Sequence, residues 1–183
     1  MKLDGIGHVL LRVVDLERAR KFYTEVLGFE VMEQDPEHGG LFMALAGHAH
    51  TLDLFPAAEP DAPPRAPGSP GLGHVAFRVD SADALREAYF DLRDHGVTIT
   101  RAVDHVSQRS IYFRDPDGNT LEIYYELPQA LELFSGGRDD HDEALQVSGL
   151  GEPLPGWLLE DWPGPEMQAR IENLGGRRDR APA

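Results

Sequence analysis

The chain contains no cysteine, which excludes thiolate catalysis, iron–sulfur clusters and disulfide bonds. The missing thiols leave the compartment open. Positive charge is scarce as well. A formal net charge of −15 at pH 7 and a pI near 4.8 argue against nucleic acid as a partner, because phosphate contacts need clustered Lys and Arg. They argue equally against docking on an anionic membrane surface. Long apolar runs are absent too. The opening stretch MKLDGIGHVLLRVVD is interrupted by Asp4, His8 and Arg12, so it reads as neither a signal peptide nor a membrane span. The expectation is a soluble, cytoplasmic protein. What is present is 183 residues, 41% of them hydrophobic, enough to bury an ordinary core in one domain or two small ones. The Asp and Glu excess forms no long local block and reads as solvated surface.

The strongest organising signal is an internal repeat. GHVLLRV at 7–13 returns as GHVAFRV at 73–79, an offset of 74 − 8 = 66 residues. A helical pattern follows each copy. Leu16, Ala19, Phe22, Tyr23, Val26 and Leu27 share one face, with Asp15 as N-cap and Gly28 as the stop. In the second copy Leu85, Tyr89 and Leu92 share a face between a Ser81 cap and Gly96. Strand-like segments then close on TLDLF at 51–55 and TLEIY at 120–124. This predicts two βαβββ modules, about 5–55 and 72–126, within a domain spanning 1–127. Residues 56–71 hold six prolines in sixteen positions and read as an extended connector. The extension 128–183 fits neither repeat. PQALELF suggests a helical turn or two, and Trp157, Leu158, Leu159 and Trp162 suit docking on a surface or a dimer contact. GGRRDRAPA is expected to fray.

Strand parity turns the repeat into a statement about chemistry. Alternate side chains of a strand face opposite ways. His8, Leu10 and Arg12 therefore share one face, against Val9, Leu11 and Val13 on the helix-covered face. His74, Ala76 and Arg78 repeat this against Val75, Phe77 and Val79, and Glu122 with Tyr124 opposes Leu121 and Ile123. A lone histidine opening a strand is usually solvated or hydrogen-bonded. A doubled GHV also suits a shared backbone need, with Gly7 and Gly73 easing strand entry. Glu122 at matching parity favours a metal site, and two imidazoles with a carboxylate suit Fe(II), Mn(II), Zn(II) or Ni(II). Arg12 and Arg78 have acidic neighbours to pair with, while His38, His95 and His141 sit in loop or helix-end contexts and read as solvated.

The double GHV…RV, with DLERARKFYTEVLGFEV and DPDGNTLEIYYE, resembles the vicinal oxygen chelate superfamily of glyoxalases, bleomycin- and fosfomycin-resistance proteins and extradiol dioxygenases. The resemblance covers residues 5–127. It implies an α+β fold in which paired modules form a half-open barrel around a metal held by His8, His74 and Glu122. The span 104–126 is similar, more narrowly, to type I extradiol ring-cleavage dioxygenases: His105, then Ile111–Tyr112, Asp115–Pro116, Gly118 and Glu122. DPDGN by itself is turn chemistry. His105 and Tyr112 are the discriminating residues, their plainer roles being a surface histidine and a cross-strand aromatic. A third acid/base position falls on His50, with His48 as the fallback. His50 serves only if the following strand is bulged or begins after it.

The activity so implied is ring opening of a catechol-type diol by O2 at Fe(II), with Mn(II) possible. His50 would move protons, Tyr112 would hydrogen-bond a substrate oxygen, and His105 would orient or stabilise it. Partners would be a small aromatic diol and O2, in a homo-oligomer, with a dimer favoured. Asp53 departs from the extradiol pattern. By the repeat it matches Glu122 (122 − 53 = 69), the slot that glyoxalase-like relatives use for a fourth ligand to Ni or Zn. A lyase or isomerase of that kind is the first rival, and a protein that sequesters an aromatic drug is the second.

Overall fold

The computed structural model describes residues 1–178 apart from positions 4, 46, 49, 58, 60–65, 67 and 137–140, with backbone alone at 175–178. Half of the proline connector and the last five residues of the expected frayed end therefore lie outside the described residues. The chain is mixed α+β with a four-stranded and a five-stranded sheet. It separates into two compact units: Met1–Gly73 with Arg114–Thr120, and His74–Phe113 with the described chain from Leu121 onward.

The first unit carries β1 (Val9–Val13), α1 (Leu16–Glu25), β2 (Glu30–Gln34), β3 (Leu41–Ala44) and β4 (Leu52–Pro56), with strand order β1-β4-β3-β2. Asp15 caps α1 by accepting from the Arg18 amide at 3.0 Å, which satisfies one of the free N–H groups at the helix start. The helix ends two residues before the apolar pattern does, and Gly28 then takes φ +73°, a left-handed value that costs glycine little. Burial alternates along β1 as parity requires, with Leu11 and Val13 inside and Leu10 and Arg12 outside. Tyr23, Phe22 and Phe29 pack edge to face. The tip 114–120 belongs to this unit through Asp115, which accepts from the Tyr23 hydroxyl at 3.0 Å, and Asp117, which accepts from the Val14 amide at 2.8 Å and from Arg18 at 3.1 Å.

The second unit repeats the plan with β5 (Val75–Arg78), α2 (Ala82–Asp94), β6 (Arg101–Asp104), β7 (Gln108–Arg114) and β8 (Thr120–Glu126). Ser81 caps α2 through the Ala84 amide at 3.1 Å, and Leu85, Tyr89 and Leu92 are its buried residues. The tail adds α3 (Ala130–Leu133), β9 (Glu143–Leu145), a 3-10 turn (Gly156–Leu158) and α4 (Pro165–Arg178). β9 lies antiparallel on β6 and gives the order β5-β8-β7-β6-β9, so an edge that would otherwise present unpaired N–H and C=O groups is covered. Three residues, EAL, carry too little pattern to announce this strand in the sequence. Trp157 and Leu158 are buried and Leu159 is exposed. The Arg109 guanidinium lies over the rings of Trp157 and Trp162 at 5.7 and 5.2 Å, so the tail docks through aromatic faces as well as backbone.

Candidate functional site

In the first unit the repeat's polar face becomes a cluster. β1 and β4 run parallel with Leu10 opposite Asp53, which sets Asp53 one pleat beyond His8. The His8 Nε2 and Asp53 Oδ2 atoms are 3.4 Å apart. His50 Nε2 lies 3.2 Å from His8 Nδ1. The condition placed on His50 is met, because β4 starts at Leu52 and leaves His50 free to turn toward His8. His48 is exposed. Among the described residues, His8, His50 and Asp53 form a group whose donor atoms lie within 4.8 Å of one another. Asp53 is 2% exposed, and its Oδ1 has no hydrogen-bond partner. Burying an unpaired carboxylate oxygen is costly, and a cation is a natural partner for it. Imidazole nitrogens and a carboxylate are donors that suit a first-row divalent ion.

The second unit carries the matching pair and extends it. β5 and β8 are parallel with Ala76 opposite Glu122, the same register offset that joins His8 to Asp53. His74 Nε2 is 2.9 Å from Glu122 Oε2, and Glu122 is 3% exposed. Gln108 Nε2 donates to Glu122 Oε1 at 3.0 Å and to Ser110 Oγ at 2.8 Å. The Tyr112 ring stands edge-on to His74 at 5.8 Å. Its hydroxyl is 3.4 Å from His105 Nε2. Burial raises the Tyr112 phenol above its ordinary value; the Glu122 charge and a hydrogen bond with Glu122 add to this, while hydrogen bonds from Arg101 and Ser110 work against it. The Arg101 guanidinium also covers the Tyr112 ring at 4.1 Å.

His105 sits in a three-residue turn between β6 and β7. Val106 there has φ +68°, and the Ser107 amide donates to the His105 carbonyl at 2.8 Å. This is a γ-turn of the uncommon positive-φ kind, strained for a β-branched residue. Such backbone strain concentrates at functional sites. Asp104 holds the turn, its Oδ1 accepting from the Val106 amide at 2.8 Å and its Oδ2 from Arg109 Nε at 2.7 Å and Trp162 Nε1 at 3.0 Å.

The expected residues thus gather as His8 with His50 in one unit, and as His74, Glu122, Tyr112 and His105 in the other. Gln108, Arg101 and Asp142 were missed by the sequence reading. Gln108 was legible, since it shares the parity of Ser110 and Tyr112. Asp142, whose Oδ1 meets His105 Nδ1, was not. Of the remaining histidines, His38 pairs with Asp35 at 3.0 Å and His95 with the Asp91 carbonyl at 2.8 Å. Arg12 donates to the Pro56 carbonyl at 3.0 Å rather than to an acidic neighbour.

The family model described as Glyoxalase/Bleomycin resistance protein/Dioxygenase superfamily matches residues 5–123. Biphenyl-2,3-diol 1,2-dioxygenase 3 of Rhodococcus globerulus is 32% identical over 118 residues, which cover 64% of this chain and 61% of the relative. This chain therefore spans less than two thirds of that relative's length. Biphenyl-2,3-diol 1,2-dioxygenase 2 of the same organism is 32% identical over 145 residues, 78% of this chain and 75% of the relative. Among solved structures, a glyoxalase/dioxygenase from Nostoc punctiforme aligns with a TM-score of 0.56 and 26% identity, covering 67% of this chain and 90% of its own. With the family model spanning well over half its length, and its repeat folded as two βαβββ motifs, the chain belongs to the Glyoxalase/Bleomycin resistance protein/Dioxygenase superfamily.

Proposed function

We propose that this chain is an extradiol ring-cleavage dioxygenase, acting on a catechol-type aromatic with O2 at a non-haem Fe(II) held by His8, His74 and Glu122. The observation that carries the reading is the row Glu122, His74, Tyr112 and His105 in the second unit. It sets a phenol and an imidazole beside two of the proposed ligands, where a plain hairpin needs neither. The relatives named for biphenyl-2,3-diol support a vicinal diol as the substrate class.

A two-histidine, one-carboxylate Fe(II) would supply adjacent open positions that bring the two diol oxygens and O2 together, and Mn(II) tolerates the same donors. The protein's own groups then manage protons and orientation. Tyr112, its phenol held protonated by burial, donates a hydrogen bond to a substrate oxygen. His105, once its Nε2 has taken a proton, stabilises the anionic oxygen, and His50 accepts and returns a proton. Both atoms of O2 enter the product as one ring C–C bond beside the diol breaks. A homodimer is the assembly proposed.

The test is O2 consumption by the Fe(II)-loaded protein against catechols that include biphenyl-2,3-diol. One O2 per diol with a ring-opened semialdehyde is expected. Tyr112→Phe and His105→Ala should each lower kcat on the order of 100-fold. No uptake across a broad diol panel overturns the reading. The group His8, His50 and Asp53 favours a second reading, a glyoxalase-like lyase or isomerase with Asp53 as a fourth ligand to Ni or Zn. Asp53→Ala separates the two. A loss of metal affinity well beyond about 100-fold, more than a group that only orients a ligand is worth, supports the second reading, and a smaller loss or none supports the dioxygenase.

A further inference from the structure

We propose that Asp142, in the C-terminal tail, is the positioning residue for His105: its carboxylate fixes the ring proton on Nδ1 and turns the bare Nε2 toward the Tyr112 hydroxyl. The tail lies beyond the span that the family model matches, which ends at 123. The consequence for turnover rests on the dioxygenase reading; the tautomer does not.

The placement is built rather than incidental. β9 runs on β6 with Ala102 opposite Leu145, Val103 opposite Ala144 and Asp104 opposite Glu143. Continuing that register by one residue sets His105 opposite Asp142, where cross-strand side chains meet directly. Oδ1 and Nδ1 are 2.5 Å apart. The far end of β9 is held as firmly. Trp157 Nε1 donates to the Gln146 carbonyl at 2.8 Å, and the Ser148 amide donates to the Tyr89 hydroxyl at 3.0 Å. On the other side of the pair, the His105 amide donates to the Gln108 carbonyl at 2.7 Å. The His105 side chain is 12% exposed and that of Asp142 is 68% exposed, so the carboxylate faces water while the imidazole it holds points inward.

The chemistry follows from donor counting. An ionised carboxylate only accepts, so Nδ1 must carry the hydrogen between them. In a neutral imidazole the other nitrogen is then a lone pair. That lone pair accepts from the Tyr112 hydroxyl, 3.4 Å away, and is the atom able to take a proton. Without Asp142 the ring proton can sit on Nε2, which would then donate to the Tyr112 hydroxyl oxygen and leave no lone pair there to take a proton. Orienting a base histidine through its far nitrogen is a general use of a carboxylate. A merely structural role would instead staple the tail to the turn and leave the tautomer alone.

The two roles separate in a long-range 1H–15N correlation of histidine-labelled, Zn(II)-loaded full-length protein. It is recorded at about pH 8.5, two units above an ordinary histidine, and the His105 signals are assigned with His105→Gln. The expected wild-type signal is the Nδ1–H tautomer. Asp142→Ala should move most of the population to Nε2–H, while Glu143→Ala, its exposed neighbour on β9, should leave His105 as in wild type. Asp142→Asn keeps the shape and a weaker acceptor, so it should give a mixture. It also serves as the test should the alanine variant fold poorly. An Nε2–H tautomer in wild type, or a tautomer unmoved by both Asp142 substitutions, overturns the proposal. In turnover, Asp142→Ala should lower kcat on the order of 10-fold with KM changed less than about 2-fold. If the tautomer moves as expected while wild type opens no diol ring, the proposal stands and the dioxygenase reading falls.

Discussion

Asp115 ties the DPDGN tip to α1, and its removal should be felt far more than a turn residue usually is. The side chain is 4% exposed. It accepts from the Tyr23 hydroxyl at 3.0 Å, the Asp117 amide at 3.0 Å, the Asn119 amide at 2.8 Å and the Asn119 side-chain amide at 2.9 Å. Asp115→Ala leaves four donors without that acceptor. Those on the turn can reach water in part, but Tyr23 is fully enclosed, and an orphaned buried donor costs roughly 1–3 kcal/mol. Adding the turn amides, the substitution should cost about 3–5 kcal/mol, a large share of the roughly 5–15 kcal/mol that holds an ordinary domain. Tyr23→Phe removes the donor itself and leaves Asp115 three others, so it should cost about 1 kcal/mol. The double variant no longer buries an orphan hydroxyl and should be about 1–2 kcal/mol more stable than the sum of the singles. Urea unfolding followed by circular dichroism, with the slope m checked for constancy, reads all three. A cost below about 1 kcal/mol for Asp115→Ala, or additivity within about 0.5 kcal/mol, would show that the buried network is not what holds the tip.

Alkali should weaken the same contact. Burial, and then the Asp115 charge and hydrogen bond, raise the Tyr23 phenol well above its ordinary value. A group whose folded pKa is raised contributes stability in full below its unfolded pKa, near 10 for tyrosine, and loses it as pH climbs toward the folded value. Thermal melts from about pH 9 to about pH 11 should therefore fall more steeply for wild type than for Tyr23→Phe; parallel curves would discard the linkage. In the β2–β3 connection, a Cβ on Gly40 would lie 2.5 Å from the Phe55 ring. Gly40→Ala should cost about 1–3 kcal/mol by overpacking, and Phe55→Leu in the same chain should recover part of it, as melting temperatures would show.

Much of the frame was legible because it is local. The two helices announce themselves through apolar spacing and through Asp15 and Ser81 caps, which act within three residues of the helix start. The pleat forces Leu11 and Val13 inward and Leu10 outward whatever surrounds the sheet. The same alternation, doubled by the repeat, marked His8, His74 and Glu122 as polar residues on faces the helices do not cover. His105 and Tyr112 stood out because a turn has no use for them. Asp53 was visible as the partner of Glu122 by offset, but its approach to His8 depends on the parallel register of β1 and β4, which spacing does not give.

Periodicity and capping are set by neighbours along the chain, so the two βαβββ motifs, their buried faces and the polar residues available for chemistry are local properties. Which of those residues meet is a matter of long-range packing. The turn of β4 after His50, the reach of the 114–120 tip to Tyr23, and above all the seating of Asp142 on His105 across 142 − 105 = 37 residues each depend on strand register and on which edge a distant segment covers. Those are choices of packing among many long-range pairings, and no local pattern of side chains encodes them.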